Sequence, residues 1–188
     1  MKVRKQSPPK NRGDSEPGLV NEETLMQIAA EARERAVEIE QLRQLPDDLA
    51  EKIHQAGFFK LLIPKEMGGL GGNLLDWLRV STVLSEADAA TGWVTAHGAV
   101  ATAIFASSAD QDFVREILAL PKPMMAWSNY GKIEVQEADG GLRVSGRWRY
   151  ISGCTAATHV GGMVVYYPPE DKKKPRMIVP LFAPRKFS

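Results

Sequence analysis

Gly140-Gly-Leu-Arg-Val-Ser-Gly-Arg-Trp-Arg-Tyr-Ile-Ser-Gly-Cys154 is the stretch on which the fold assignment of this chain turns. Asp139-Gly140-Gly141 signals a hairpin, because glycine takes positive φ without a Cβ clash. Beyond it, Leu142, Val144, Trp148 and Tyr150 alternate with Arg143, Ser145, Arg147 and Arg149, the period of a half-buried strand. The strand closes on Ser152-Gly153, a hydroxyl followed by a residue that lets another group approach the backbone closely. Trp148 reads as strand packing, and Cys154 as a small buried hydrophobe.

Strand periodicity begins just upstream of this stretch and continues past it. It predicts strands near 124–129, 132–138, 142–151, 159–167 and 176–183, with the last hairpin crossing a loop over Pro168–Lys174. Before Pro121 the pattern is helical throughout. Asn21 is a good N-cap, and Leu25, Ile28, Ala29, Ala32, Ala36, Ile39 and Leu42 predict one helix facing a core until Pro46. A second helix runs from Asp47 to Ala56 with Leu49, Ile53 and Ala56 inward, and Gly57 suits its C-cap. Phe58–Pro64 reads as an extended buried connector. The glycine-rich run Lys65–Gly72 lacks the Lys-Ser/Thr of a phosphate loop, and Leu74 stands where the dinucleotide fingerprint needs its third glycine, so a tight turn is expected. Asn73 caps a helix to about Ala87, a small-residue helix follows over Ala89–Ala106, and a last one spans 110–119 with Phe113 and Ile117 inward. Helices first and strands after define an α+β order, with a boundary near Pro121.

Composition narrows the function classes. The chain has 188 residues, 44% hydrophobic and 25% charged, which suits a soluble globular protein of one or two small domains. Residues 1–13 hold Lys2, Arg4, Lys5, Lys10 and Arg12 without an acid; removing these five from the 24 basic residues leaves 19 against 23 acidic. The body is therefore acidic and lacks the footprint of a nucleic-acid binder. No apolar run approaches a membrane span, and the basic N-terminus has no apolar signal region. One cysteine allows no internal disulfide, which suits a cytoplasmic location. His54, His97 and His159 show no metal-ligand spacing, and no nucleophile–base triad can be read.

Ser-Gly-Arg-Trp-Arg-Tyr-Ile-Ser-Gly resembles the middle β-domain of the acyl-CoA dehydrogenase superfamily, and most closely its flavin-dependent aromatic monooxygenase branch. Gly57-Phe-Phe-x-Leu-x-Ile-Pro-x-x-x-Gly-Gly-Leu-Gly71 is similar to the helical N-terminal domain of the same superfamily. Residues 1–20 combine Pro8, Pro9 and Pro17 with two glycines and charge and read as a mobile tail. The resemblance covers about 22–188 and implies an N-terminal helical domain over 21–121 and a middle β-domain over 122–188 that need not be complete. The implied fold is α+β, a helical domain followed by a small antiparallel β-barrel-like domain, with the superfamily's C-terminal helical bundle absent. A chain of this extent is expected to be inactive alone.

The implied function is that of a two-component monooxygenase: a separate flavin reductase supplies reduced FMN or FAD, and oxygen is transferred to a small aromatic or heteroaromatic substrate. A homo-oligomer, a tetramer when full length, is implied as well. An acyl-CoA dehydrogenase is the rival enzyme and a non-catalytic remnant the rival of another class; the dehydrogenases' Thr-Glu-Pro-x-x-Gly-Ser run is missing here, which favours the monooxygenase. Trp127, Ser128 and Asn129 fall where the superfamily's first flavin-contacting strand ends, although Ser-Asn at a strand end is also a plain turn former. Tyr150-Ile151-Ser152 corresponds to the dehydrogenases' Trp-Ile-Thr, which places Tyr150 beside the flavin and Ser152 as cofactor ligand and catalytic donor. Trp93 and His97, four apart on the small-residue helix, share a face and are the implied substrate contacts, with His97 also a candidate catalytic base.

Overall fold

The computed structural model describes residues 19–169 and 173–183. Helices α1 (Glu22–Glu34), α2 (Ala36–Leu42), α3 (Asp47–Gln55), α4 (Leu74–Ala87), α5 (Ala89–Ser108) and α6 (Gln111–Leu118) precede all strands. Four of the helices start where a side chain takes up otherwise unpaired amides. Asn21 accepts from Thr24 N, Asn73 forms a reciprocal capping box with Asp76, Asp88 accepts from Thr91 N, and Asp110 accepts from Asp112 N and Phe113 N.

The helix expected to run unbroken to Pro46 is interrupted at Arg35, whose φ of −99° and ψ of 11° leave the helical region. The break sets the Arg35 guanidinium among Glu31, Glu38 and Asp48, at 2.9, 2.8 and 2.7 Å. Leu42, expected to face the core, is about half exposed beyond the break. Phe58–Pro64 is buried as expected but not extended. It winds through a 3₁₀ turn at Phe58–Lys60, with Phe58, Phe59, Leu61 and Ile63 almost fully covered. The glycine-rich run is the expected turn. Its amides are spent on the preceding segment: Leu70 N donates to Lys60 O, Gly71 N to Ile63 O and Gly72 N to Leu61 O. A Cβ on Gly69 would strike the Ile63 carbonyl, so glycine serves close backbone approach there rather than phosphate binding. In α6 the inward residues are Val114, Ile117 and Leu118. Phe113, expected inward, is 39% exposed and meets Phe105 edge to face.

Helix α5 is the axis of the molecule. Gly92 lies against Ser85 of α4, where Trp77 Nε1 donates to Ala96 O. Gly98 lies against Phe59 and Met124, and Thr102 Oγ1 donates to Gly98 O while accepting from Met125 N at 3.1 Å. The last bond ties the helix to strand β1 (Met125–Ser128). The main core therefore runs without interruption from Leu25, Ile28, Leu49 and Phe58 to Met124, Ala126 and Ala157.

The strands depart from the expected antiparallel barrel. Strand β1 pairs in parallel with β4 (His159–Gly162), and β4 pairs antiparallel with β7 (Leu181–Phe182). Strands β2 (Gly131–Ala138) and β3 (Gly141–Trp148) form the predicted hairpin, with Gly140 at φ 79°, and β5 (Val164–Tyr166) pairs with β6 (Arg176–Ile178). Among the described residues these are three small sheets and no closed barrel. The strand expected over 159–167 divides at Met163, and that over 176–183 divides before Pro180, which has no amide to donate. The Arg149 amide still donates to Tyr130 O, the next position in the β2–β3 register, and the strand ends where Tyr150 takes a left-handed φ of 59°. Residues 1–18 of the expected tail lie outside the described residues. Leu19 packs against the core and Val20 is buried in it, so both belong to the folded body.

A Cβ at Gly98 would stand 2.6 Å from Met124 Cε and 2.8 Å from Phe59 Cδ1. Gly98→Val is therefore expected to destabilise the protein by about 1–3 kcal/mol through overpacking, measured by urea denaturation. Unchanged stability would show that α5 can move away from Phe59 at no cost.

Candidate functional site

Two segments far apart in sequence meet at the end of the β1–β4 pair. Ser128 is buried, and its hydroxyl donates to Arg149 O at 2.6 Å while accepting from Tyr130 N at 3.1 Å. Arg149 N in turn donates to Tyr130 O at 2.9 Å. These bonds clamp the end of β1 to the end of β3, bringing Ser128 and Asn129 beside Tyr150. Tyr150 is 78% exposed, and its ring lies 5.6 Å from that of Tyr130, centroid to centroid. The two form an aromatic surface open to solvent. The sequence pattern did not single out Tyr130; its position just past the strand end was the only signal for it.

Ser152 begins the turn that follows. Gly153 has a φ of 78°, and a Cβ there would meet Met124 Cε at 2.7 Å and Val94 Cγ1 at 3.0 Å, so the turn lies directly on α5. From α5, Trp93 Nε1 donates to Ser152 Oγ at 2.9 Å. The Trp93 ring also lies 5.8 Å from that of His97, which confirms their shared face. On the other side His54 Nε2 is 3.1 Å from Ala156 O, a bond from α3 that holds the end of the turn. His54 is thus a structural residue.

A cavity of about 610 Å³ opens beside this turn, lined by Arg43, Asp88, Trp93, Val94, Ser152 and Cys154 among others. Cys154 is exposed there, contrary to the buried position expected of it, because Cys154 N bonds back to Ile151 O and the turn carries the side chain outward. Trp127 is placed elsewhere. Its ring lines a second, apolar cavity of about 300 Å³ with Phe105, Met125, Val179 and Leu181. Trp148 is half-buried strand packing, as expected, and meets Phe182 at 6.1 Å.

Among the described residues His97 Nδ1 is buried without a hydrogen-bond partner, and desolvation holds the imidazole below its ordinary pKa of 6.5. His97 is therefore neutral at pH 7, with one ring nitrogen able to accept a proton. Ser152, Trp93 and His97 thus form one connected group, and Ser128, Asn129, Tyr130 and Tyr150 a second, joined through Ile151.

Residues 20–119 match the N-terminal domain of acyl-CoA dehydrogenase. The chain belongs to the acyl-CoA dehydrogenase family. Among its relatives is the oxygenase subunit HsaA of a flavin-dependent monooxygenase from Rhodococcus jostii, 32% identical over 139 residues, or 71% of this chain and 35% of that protein. The oxygenase component of an FADH2-dependent resorcinol hydroxylase from a Rhizobium species is 32% identical over 155 residues, or 80% of this chain and 36% of that one. The crystal structure of a 3-HSA hydroxylase from Rhodococcus superposes with a TM-score of 0.75 at 25% identity, covering 86% of this chain and 42% of that one. The chain spans about a third of the length of the relatives it matches.

A lowered histidine pKa means that protonation favours the unfolded chain. The contribution of His97 is complete above its ordinary value of 6.5 and is lost as the pH falls from there to the lowered folded-state value. An NMR titration should place the His97 ring midpoint below 6.5, and His97→Gln should flatten part of the acid loss in stability. His54 and His159, also lowered by burial, add to the loss with the same sign. A midpoint at or above 6.5 would show that the ring is solvated.

Proposed function

We propose that this chain forms the helical and β portion of the oxygenase component of a two-component, flavin-dependent monooxygenase that hydroxylates a small aromatic or heteroaromatic substrate. The named activities of the relatives support the reaction class: both the HsaA subunit and the resorcinol hydroxylase component are oxygenases. The structural observation that carries it is the Ser152 hydroxyl. It is held at its oxygen by Trp93 and makes no other hydrogen bond among the described residues, so its proton is free for an acceptor.

A planar, acceptor-rich ring fits what is present. Tyr150 and Tyr130 offer exposed aromatic surface, Ser152 a donor, and the clamped Ser128–Asn129 segment a rigid polar edge. Tyr150, Asn129 and Ser152 would hold reduced FMN or FAD, with the buried Ser128 hydroxyl fixing their segment through Arg149 O and Tyr130 N. Trp127, whose ring lines the second cavity, is not part of this set. Reduced flavin, when bound, supplies two electrons and activates oxygen, so that one oxygen atom enters the substrate and the other leaves as water. Trp93 and His97 would face the aromatic substrate. His97, neutral at pH 7, can take the proton of a phenolic hydroxyl and so raise the electron density of the ring to be oxygenated. Ser152 would stabilise charge that develops on the ring edge facing it. A separate reductase would deliver the reduced flavin to a cytoplasmic homo-oligomer.

The test is ¹⁸O₂ incorporation by the full-length protein supplied with a flavin reductase, NADH and a panel of phenols. One labelled oxygen per product is expected. Ser152→Ala should slow productive turnover about a hundredfold, the usual cost of one pre-aligned donor, with electrons diverted to hydrogen peroxide. Reduction of the bound flavin by an acyl-CoA, without oxygen insertion, would assign the dehydrogenase reaction instead.

A further inference from the structure

Ser152 and Trp93 are 59 positions apart, and the bond between them has a direction. An indole N–H can only donate, whereas a hydroxyl can both donate and accept. Trp93 therefore occupies an acceptor lone pair of Ser152 and cannot take its proton. Nothing else among the described residues takes it. Two further features fix the geometry. Gly153 rests against Val94, the residue after Trp93, so that one turn of α5 holds both backbone and hydroxyl of the Ser152 turn. His54 holds the far end through Ala156 O. The Trp93 ring is itself 59% exposed, so burying the indole does not account for its placement; its polar atom is aimed at Ser152.

We propose that Trp93 is a positioning residue: it orients the Ser152 hydroxyl so that the proton points outward, making Ser152 a dedicated donor to an acceptor atom of the bound flavin. Without the indole donor, the hydroxyl is free to rotate and must be ordered at the moment of binding. The inference rests on the assignment of Ser152 to the flavin site. It assigns Trp93 a role that acts through Ser152 rather than on the substrate alone.

The test is a double-mutant cycle on the full-length protein, read as the affinity for reduced flavin in anaerobic titration, with the thermal midpoint followed in parallel. Trp93→Phe keeps an aromatic ring and removes the donor. It should weaken binding about two- to tenfold, the range of one net hydrogen bond, while leaving the midpoint almost unchanged because the ring is mostly exposed. Ser152→Ala should weaken binding by at least as much. Adding Trp93→Phe to Ser152→Ala should cost nothing further, since there is then no hydroxyl to orient. Ser152→Thr, which keeps the hydroxyl, should restore both the affinity and its sensitivity to Trp93→Phe. Multiplicative losses in the double variant would overturn the proposal by showing that Trp93 acts independently of Ser152. So would a harmless Trp93→Phe beside a damaging Ser152→Ala, or a collapsed midpoint in Trp93→Phe, which would make Trp93 a structural residue. A harmless Ser152→Ala would remove Ser152 from the flavin site, and with it the assignment beneath the proposal.

Discussion

The close approach of helix α5 to its neighbours is the constraint on which the rest of the structure depends. Gly92 and Gly98 carry no side chain, so Ser85, Phe59 and Met124 come to within contact of the helix backbone. Thr102 then spans the gap to the sheet with its hydroxyl, donating to its own helix and accepting from Met125 N. That bond sets where β1 lies along the helix. Because β1 templates β4 in parallel register, and β4 templates β7, the order of one sheet follows from a contact on α5. Small residues in this helix are thus a packing requirement rather than weak helix design.

The same helix places the candidate site. Val94 meets Gly153 and Trp93 meets Ser152, so the turn after β3 is docked by residues adjacent in sequence. His54 docks its other end from α3, its ring tilted against that of Phe59, which itself lies against Gly98. Helices and strands therefore share one core, and the Ser152 turn lies on their boundary. A side chain held there inherits the rigidity of both parts, which is what pre-alignment of a donor requires.

The ion pairs have a smaller part. Arg35 meets three carboxylates where α1 and α2 separate, and these bonds hold Glu31, Glu38 and Asp48 below the usual carboxylate range, with Lys52 the larger influence on Glu31. Glu38 and Asp48 are exposed, so the network orients the α1–α2 break more than it stabilises the core.

Much of this was written locally in the chain. The caps at Asn21 and Asn73, the Asp139-Gly140 hairpin and the shared face of Trp93 and His97 depend on residues a few positions apart, and local spacing suffices to find them. So does the turn at Gly68–Gly72, where Gly68 and Gly71 take a positive φ and Gly69 and Gly72 leave no room for a Cβ beside Ile63 and Leu61. Tertiary structure alone decided the rest. The parallel pairing of β1 with β4 joins residues 34 positions apart, and the Trp93–Ser152 bond spans 59. The outward turn of Cys154, the left-handed Tyr150 and the removal of Trp127 to a second cavity follow from where α5 and the sheet meet. Alternation can say that a side chain leaves one face of a strand, but which neighbour waits on that face is set by close packing between distant segments.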